Sequence, residues 1–249
     1  MKRRTPRAGL GVPRHFVDPQ LRSLSEGLVR VGRRVEDRGV VAIPGMSMGD
    51  ILATCGTIDG SGTLTVTFSE GTFSFKDGVE LARPNLVFRG QGHATVLERE
   101  AVATGHTLTS LWLLSGEGIV VEGFRVKDST GTGAAFKVTG DRCVVRDCVF
   151  EDCFLAVELN GSEGSRVVDN HVYAMRDTNY AIRVTNGSAD GVVSGCVVEP
   201  SGITASIYFD DATLRFAIVG NQTFPGGEIS YRGSDGHVAA GNPGTVTAR

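Results

Sequence analysis

Three cysteines spaced five residues apart, Cys143, Cys148 and Cys153, are the most conspicuous reactive groups in the sequence. Their C-x4-C-x4-C spacing contains no Cys-x2-Cys pair, which disfavours zinc. A second set recurs at long intervals: Lys137, Glu158, Arg183, Tyr208 and Asp210. Placed on one face, Glu158 and Asp210 are candidate catalytic carboxylates, of the kind that inverting glycosidases hold about 6.5–9.5 Å apart. Lys137, Glu158, Arg183, Tyr208 and Asp210 together are candidates for glycan binding. A tyrosine ring covers the apolar face of a pyranose, and Lys and Arg take its hydroxyls or carboxylates. Solvated ion pairs are the alternative for the same residues. A third set, Asp128, Asp152 and Asp177, offers hard oxygen ligands of the sort calcium takes, or plain solvated turns. The elements that position these residues decide among these chemistries.

Those elements repeat. The segments "VVEGFRV" (120–126), "VVRDCVF" (144–150), "VVDNHVY" (167–173), "VVSGCVV" (192–198) and "IVGNQTF" (218–224) place turn residues at Gly123, Asp147, Asn170, Gly195 and Asn221, at intervals of 23 to 26 residues. Fainter copies put Gly90 and Asn242 in the same role. Gly, Asn and Asp tolerate the left-handed backbone of a tight turn. Each unit carries a further apolar strand: "AFKV" (135–138), "AVEL" (156–159), "AIRV" (181–184), "SIYF" (206–209) and "EISY" (228–231). Three short strands in roughly 24 residues make one coil of a parallel β-helix. The 34 glycines against 8 prolines and 4 methionines fit a chain of many short strands and turns.

The repeat explains the cysteines. Cys148 follows the turn by one residue, as do Phe124, His171, Cys196 and Gln222, and this position is expected to point inward, where a small thiol packs as a hydrophobe. Cys148 and Cys196 are two rungs apart, roughly 10 Å, too far for a disulfide. Five cysteines, with no export signal after "MKRR", suit free thiols in a reducing compartment.

The repeats, together with "TLTVTFSEGTFSFKDGVELARPNLVFRGQGHATVL" (63–97), resemble the right-handed parallel β-helices of the pectate-lyase-like superfamily. Residues 63–97 resemble the opening coils of phage tailspikes and related virion proteins. The resemblance spans residues 59–249 and implies an all-β fold, a right-handed parallel β-helix of about six to eight coils. It leaves function open, because this fold hosts lyases, hydrolases, adhesins and inert spikes. The calcium and arginine signatures of pectate lyases are missing: "RPN" (83–85) lacks the downstream arginine. Of the polygalacturonase motifs, "DD" (210–211) is present, "DTN" (177–179) has the wrong order, His237 lacks its motif and the basic motif is absent.

Ahead of the repeats the chain changes character. Residues 1–17 form a basic arm in which Lys2, Arg3, Arg4, Arg7 and Arg14 precede any acid. It reads as a docking segment for an acidic surface of a particle or as a solvated tail. Residues 18–38 begin with Asp18 and Pro19, a helix start. Leu21, Leu24, Leu28, Val31 and Val35 then follow heptad spacing, which predicts a short helix that trimerises with its copies or caps the β-helix. Residues 39–58 read as a linker. On the first strand of each coil, Val121, Val145, Val168, Val193 and Val219 are expected inward, and Val120, Val144, Val167, Val192 and Ile218 outward. Such an apolar stripe calls for cover, by self-association about a threefold axis or by loops and the helix.

These features predict a non-enzymatic structural protein of a phage or phage-like particle. It would be a short homotrimeric spike or a head or tail fitting, docked by its N-terminus to virion head or tail proteins, with host surface polysaccharide as a further partner. The rival is a polysaccharide depolymerase, a hydrolase or lyase of the tailspike type. The net charge of −3 argues against nucleic acid as a partner. The lack of a run of about 18 apolar residues argues against membrane insertion. The expected location is the virion, after synthesis in the host cytoplasm without a signal peptide, and no metal or cofactor is expected.

Overall fold

A computed structural model describes residues 41–100, 108–130, 132–173, 175, 180–199, 205–224, 227–231, 235–243 and 245–248. The basic arm (Lys2, Arg3, Arg4, Arg7, Arg14) and the expected helix (Leu21, Leu24, Leu28, Val31, Val35) lie outside the described residues.

The stretch expected to be a linker carries a helix, α1 (Met48–Thr54). Ser47 caps it: its hydroxyl oxygen accepts from the Asp50 amide at 3.1 Å and donates to the Asp50 carboxylate at 2.7 Å. Met48, Ile51 and Cys55 join the hydrophobic core. β1 (Thr57–Ile58) then pairs antiparallel with β2 (Leu64–Thr67), and the coils that follow stack in parallel.

Each coil contributes to three faces. Face A contains β2, the first part of β5 (Leu86–Arg99), the first part of β7 (Val120–Lys127), β9 (Val144–Arg146), β12 (Arg166–Val168), β15 (Val192–Ser194), β18 (Ala217–Val219) and β21 (Val238–Ala240). Face B contains β3 (Gly71–Phe75), the ends of β5 and β7, β10 (Val149–Glu151), β13 (His171–Tyr173), β16 (Val197–Val198) and β19 (Gln222–Thr223). Face C contains β4 (Val79–Leu81), β6 (Trp112–Leu114), β8 (Ala134–Val138), β11 (Leu155–Asn160), β14 (Tyr180–Thr185), β17 (Ala205–Phe209), β20 (Glu228–Tyr231) and β22 (Thr245–Ala248). Its eight stacked strands agree with the coil number expected from the repeat. Aromatic rings fill the first coils, where Phe68 meets Phe73 edge-on at 4.9 Å and Trp112 stacks on Phe136 at 5.5 Å. Branched aliphatics, Cys148, Cys196, Asn170 and Asn221 fill the later ones.

The strand register corrects the sequence alignment at three rungs, where Asp169, Gly220 and Gly241 take the turn position assigned to Asn170, Asn221 and Asn242. The left-handed residues at the A–B corner are Gly123, Asp147, Asp169, Gly195, Gly220 and Gly241. Asn170 and Asn221 follow the turn and are buried, whereas His171 and Gln222 face outward. The Asn170 amide shows why. Its Oδ1 accepts from the Cys148 backbone N at 3.0 Å, and its Nδ2 donates to the Val145 carbonyl at 2.9 Å. Asn221 does the same with Cys196 and Val193. An inward asparagine thus satisfies backbone groups that the corner takes out of the ladder.

The shift by one residue turns the neighbouring strands over. Val167 and Ile218, expected in the outward stripe, are fully buried, and Val168 and Val219 point outward in their place. Val172 of β13 is buried. Val120, Val144 and Val192 are half-buried and lie in the outward column as expected, but in that column Arg166 and Ala217 occupy the rungs assigned to Val167 and Ile218.

All five cysteines are buried and free. Burial pushes the Cys148 and Cys196 thiols up to about 12, which keeps them protonated and unreactive. Asp128 is held in a fully buried ion pair, its Oδ1 lying 2.9 Å from Arg99 Nε. That contact commits Asp128 to a structural role. Asp177 lies outside the described residues, and among the described residues no three metal-ligating side chains converge.

Candidate binding site on face C

Parallel register with no slippage builds the site. Lys137, Glu158, Arg183 and Tyr208 occupy successive rungs of one column, continued by Ser230. Neighbouring members are about 4.8 Å apart. Their inward neighbours Phe136, Val157, Ile182 and Ile207 are buried in the core, and this anchoring fixes the outward side chains.

Glu158 is outward by register yet only 6% exposed. Arg183 Nη2 donates to its Oε1 at 2.6 Å, and Lys137 Nζ lies 3.7 Å from Oε2. Asn160 Nδ2 donates to Oε1 at 3.3 Å. Burial alone would raise the Glu158 pKa; the hydrogen bonds and charges of Arg183, with Asn160 and Lys137, outweigh it and hold the carboxyl below its ordinary value. Glu158 is therefore an ionised, fully engaged carboxylate.

A polar shelf borders the column. Asn160 Nδ2 also lies 3.3 Å from Thr185 Oγ1, and Asn186 Nδ2 donates to Asn160 Oδ1 at 3.2 Å. Asp210 belongs to this shelf. Its Oδ2 accepts from the Asn186 backbone N at 2.8 Å and its Oδ1 from the Ala212 backbone N at 3.0 Å. On the other side of the column Ala135, Ala156, Ala181 and Ser206 are fully buried although they share its outward parity. Only small side chains fit there: a Cβ on Gly227 would fall 2.2 Å from Ser206 Oγ.

Tyr180 is the member that the repeat pattern did not reveal. Its ring stacks on Tyr208, with centroids 4.5 Å apart and planes inclined by 26°. It lies just ahead of "AIRV", at the start of β14, where Ala181 and Ile182 are both buried and the strict alternation breaks. That break carries Tyr180 to the outer side.

The two candidate catalytic carboxylates stand in different environments. Glu158 and Asp210 are two rungs apart, on the order of 10 Å. Glu158 is clamped by cations, and Asp210 caps a turn. A glycosidase needs one carboxyl kept protonated to assist the leaving group, whereas the contacts of Glu158 favour its ionised form. The arrangement offers two cations, amides, hydroxyls and a stacked pair of rings.

The family described as a right handed beta helix region matches residues 57–223. Among solved structures, the chain is similar to ORF18 of Geobacillus virus E2, with a TM-score of 0.58 at 10% identity, covering 88% of this chain and 50% of that one. The chain thus spans half the length of the Geobacillus virus protein. It is similar to a pectin methylesterase from carrot, with a TM-score of 0.54 at 12% identity and coverage of 83% and 82%. It is also similar to the catalytic domain of a GH87 α-1,3-glucanase solved with tetrasaccharides, with a TM-score of 0.52 at 15% identity and coverage of 72% and 40%. At these identities the likeness is one of fold. No curated protein sequence matches the chain.

Proposed function

The chain belongs to the right-handed β-helix family, and from that premise we propose that its face C binds a polysaccharide without cleaving it, within a short homotrimeric spike or fitting of a phage-like particle. The observation that carries the binding role is the in-register column Lys137–Glu158–Arg183–Tyr208 with Tyr180 stacked on Tyr208. A rung pitch of about 4.8 Å approaches the repeat of a sugar chain, so successive sugars can meet successive rungs. The tyrosine pair suits the apolar face of a pyranose, and Arg183, Lys137, Asn160 and Thr185 suit hydroxyl and carboxylate groups. The engagement of Glu158 by Arg183 and of Asp210 by two backbone amides favours binding over turnover.

The particle assignment draws support from the order of basic arm, heptad segment and β-helix, and from the shared fold with the Geobacillus virus protein. The apolar part of face A supports self-association. Affinity electrophoresis of the full chain through gels containing purified bacterial surface polysaccharides tests the binding role. Retardation of the wild type that is lost in Tyr208→Ala and Arg183→Ala supports it. Equal mobility of all three proteins in every polysaccharide that retards the wild type would place binding elsewhere.

A further inference from the structure

The two halves of face A differ. In its first coils the outer column next to the A–B corner is charged and paired: Glu122 lies between Arg89, at 2.5 Å, and Arg146. In the later coils the same column continues as Val168, Ser194 and Val219, beside Val192 and Val238 in the parallel column. Val219 and Val238 are 40% and 63% exposed. Within this apolar strip stands Arg166, exposed and, among the described residues, without an ion-pair or hydrogen-bonding partner for its guanidinium.

An exposed acidic pair lies beside it. Asp147 and Asp169 occupy adjacent rungs of the A–B corner, both exposed and both with positive φ. The cation nearest to them is Arg146, whose Nε is 3.9 Å from Asp147 Oδ2 and whose guanidinium already serves Glu122. Arg166 sits three residues before Asp169 on an extended strand, roughly 10 Å away, so the two are offset within one molecule. A lone cation on the face and two acids on the neighbouring corner are complementary between molecules.

We infer that the later half of face A docks against a second copy of this chain, with Arg166 of one copy paired to the Asp147–Asp169 corner of the next. Because the cation is on the face and the acids are on the corner, the contact is heterologous. Each copy offers its face to one neighbour and its corner to the other, and three copies about a threefold axis close the ring. The apolar strip supplies the area, and Arg166 fixes register and orientation. This inference rests on the homotrimer reading and assigns its contact.

Light scattering and sedimentation equilibrium of the full chain at micromolar concentration test it. The wild type is expected as a trimer that weakens with added salt. Arg166→Glu, which places like charges together, is expected to raise the dissociation constant at least about tenfold. Asp147→Asn with Asp169→Asn gives a smaller loss, and Asn tolerates the positive φ. The charge swap Arg166→Glu with Asp169→Arg is expected to restore association. Arginine is acceptable at that corner conformation, because Arg142 and Arg215 hold φ near 54° and 53° in this chain. A wild-type trimer indifferent to all these changes would overturn the contact and leave the homotrimer standing. A monomeric wild type would overturn both.

Discussion

Faces A and C of this solenoid use the same charge device for different ends. On each, one glutamate sits between cations contributed by the rungs before and after it: Glu122 between Arg89 and Arg146 on face A, Glu158 between Lys137 and Arg183 on face C. The clamp on face A is the more open, with its two arginines about half exposed around a glutamate that is 15% exposed. On face C the glutamate is nearly covered, and amides, hydroxyls and a tyrosine pair surround it. An ion clamp in a repeat therefore marks register. The groups beside it differ, apolar on face A and polar with rings on face C.

The largest expected effect separates the two clamps by stability. Glu158→Ala leaves Arg183 and Lys137 facing each other across a covered site and is expected to cost about 2 kcal/mol. Glu122→Ala removes a clamp whose two cations are about half exposed and is expected to cost less than about 1 kcal/mol. Urea unfolding of both variants measures the difference. Equal losses would mean that the two clamps are equivalent and that burial of Glu158 has no energetic consequence.

Next in size is the ligand. Tyr208→Ala and Arg183→Ala are each expected to weaken polysaccharide binding about tenfold, which corresponds to about 1.4 kcal/mol. Melting temperature should move by only a few degrees in Tyr208→Ala, as for other surface changes. Val144→Ser on face A is expected to leave binding unchanged, and isothermal titration against the same polysaccharide reads all three. An equal loss in the face A variant would erase the functional distinction between the faces.

The smallest effect is one of pH. The folded carboxyl of Glu158 titrates below its unfolded value of 4.5, because the contacts from Arg183, Asn160 and Lys137 outweigh the opposing effect of burial. A group with a depressed folded pKa contributes its stability above the unfolded pKa and loses it as pH falls through the folded one. The stability gap between the wild type and Glu158→Gln is therefore expected to be constant above pH 4.5 and to close below it. Denaturant midpoints collected across that range test the sign. A gap that widens on acidification would contradict the clamp.

Much of this architecture was legible in the residues. The recurring Val-Val pairs and the third apolar strand predicted a stacked β-helix, and they placed Lys137, Glu158, Arg183 and Tyr208 in one column. The A–B corner was harder to read, because Asn serves equally as a left-handed turn residue and as an inward hydrogen-bonding rung. Asp169-Asn170, Gly220-Asn221 and Gly241-Asn242 admit both readings. The pairs Gly123-Phe124, Asp147-Cys148 and Gly195-Cys196 carry the signal that separates them: a Gly or Asp always precedes the inward residue. Helix α1 was equally present as Ser47 followed three residues later by Asp50, a capping pattern inside a stretch too short to show a hydrophobic period. Tyr180 escaped because two consecutive buried residues, Ala181 and Ile182, break the alternation on which face assignment depends.

Face C is proposed to hold a sugar chain and to leave it whole. The direct measurement is to incubate the full chain with a polysaccharide that it binds and to follow bound protein and newly formed reducing or unsaturated ends in the same sample. Saturable binding is expected, lost in Tyr208→Ala and Arg183→Ala, with no new chain ends at any time. Release of oligosaccharides by the wild type, abolished in Glu158→Gln or Asp210→Asn, would contradict it and establish a depolymerase.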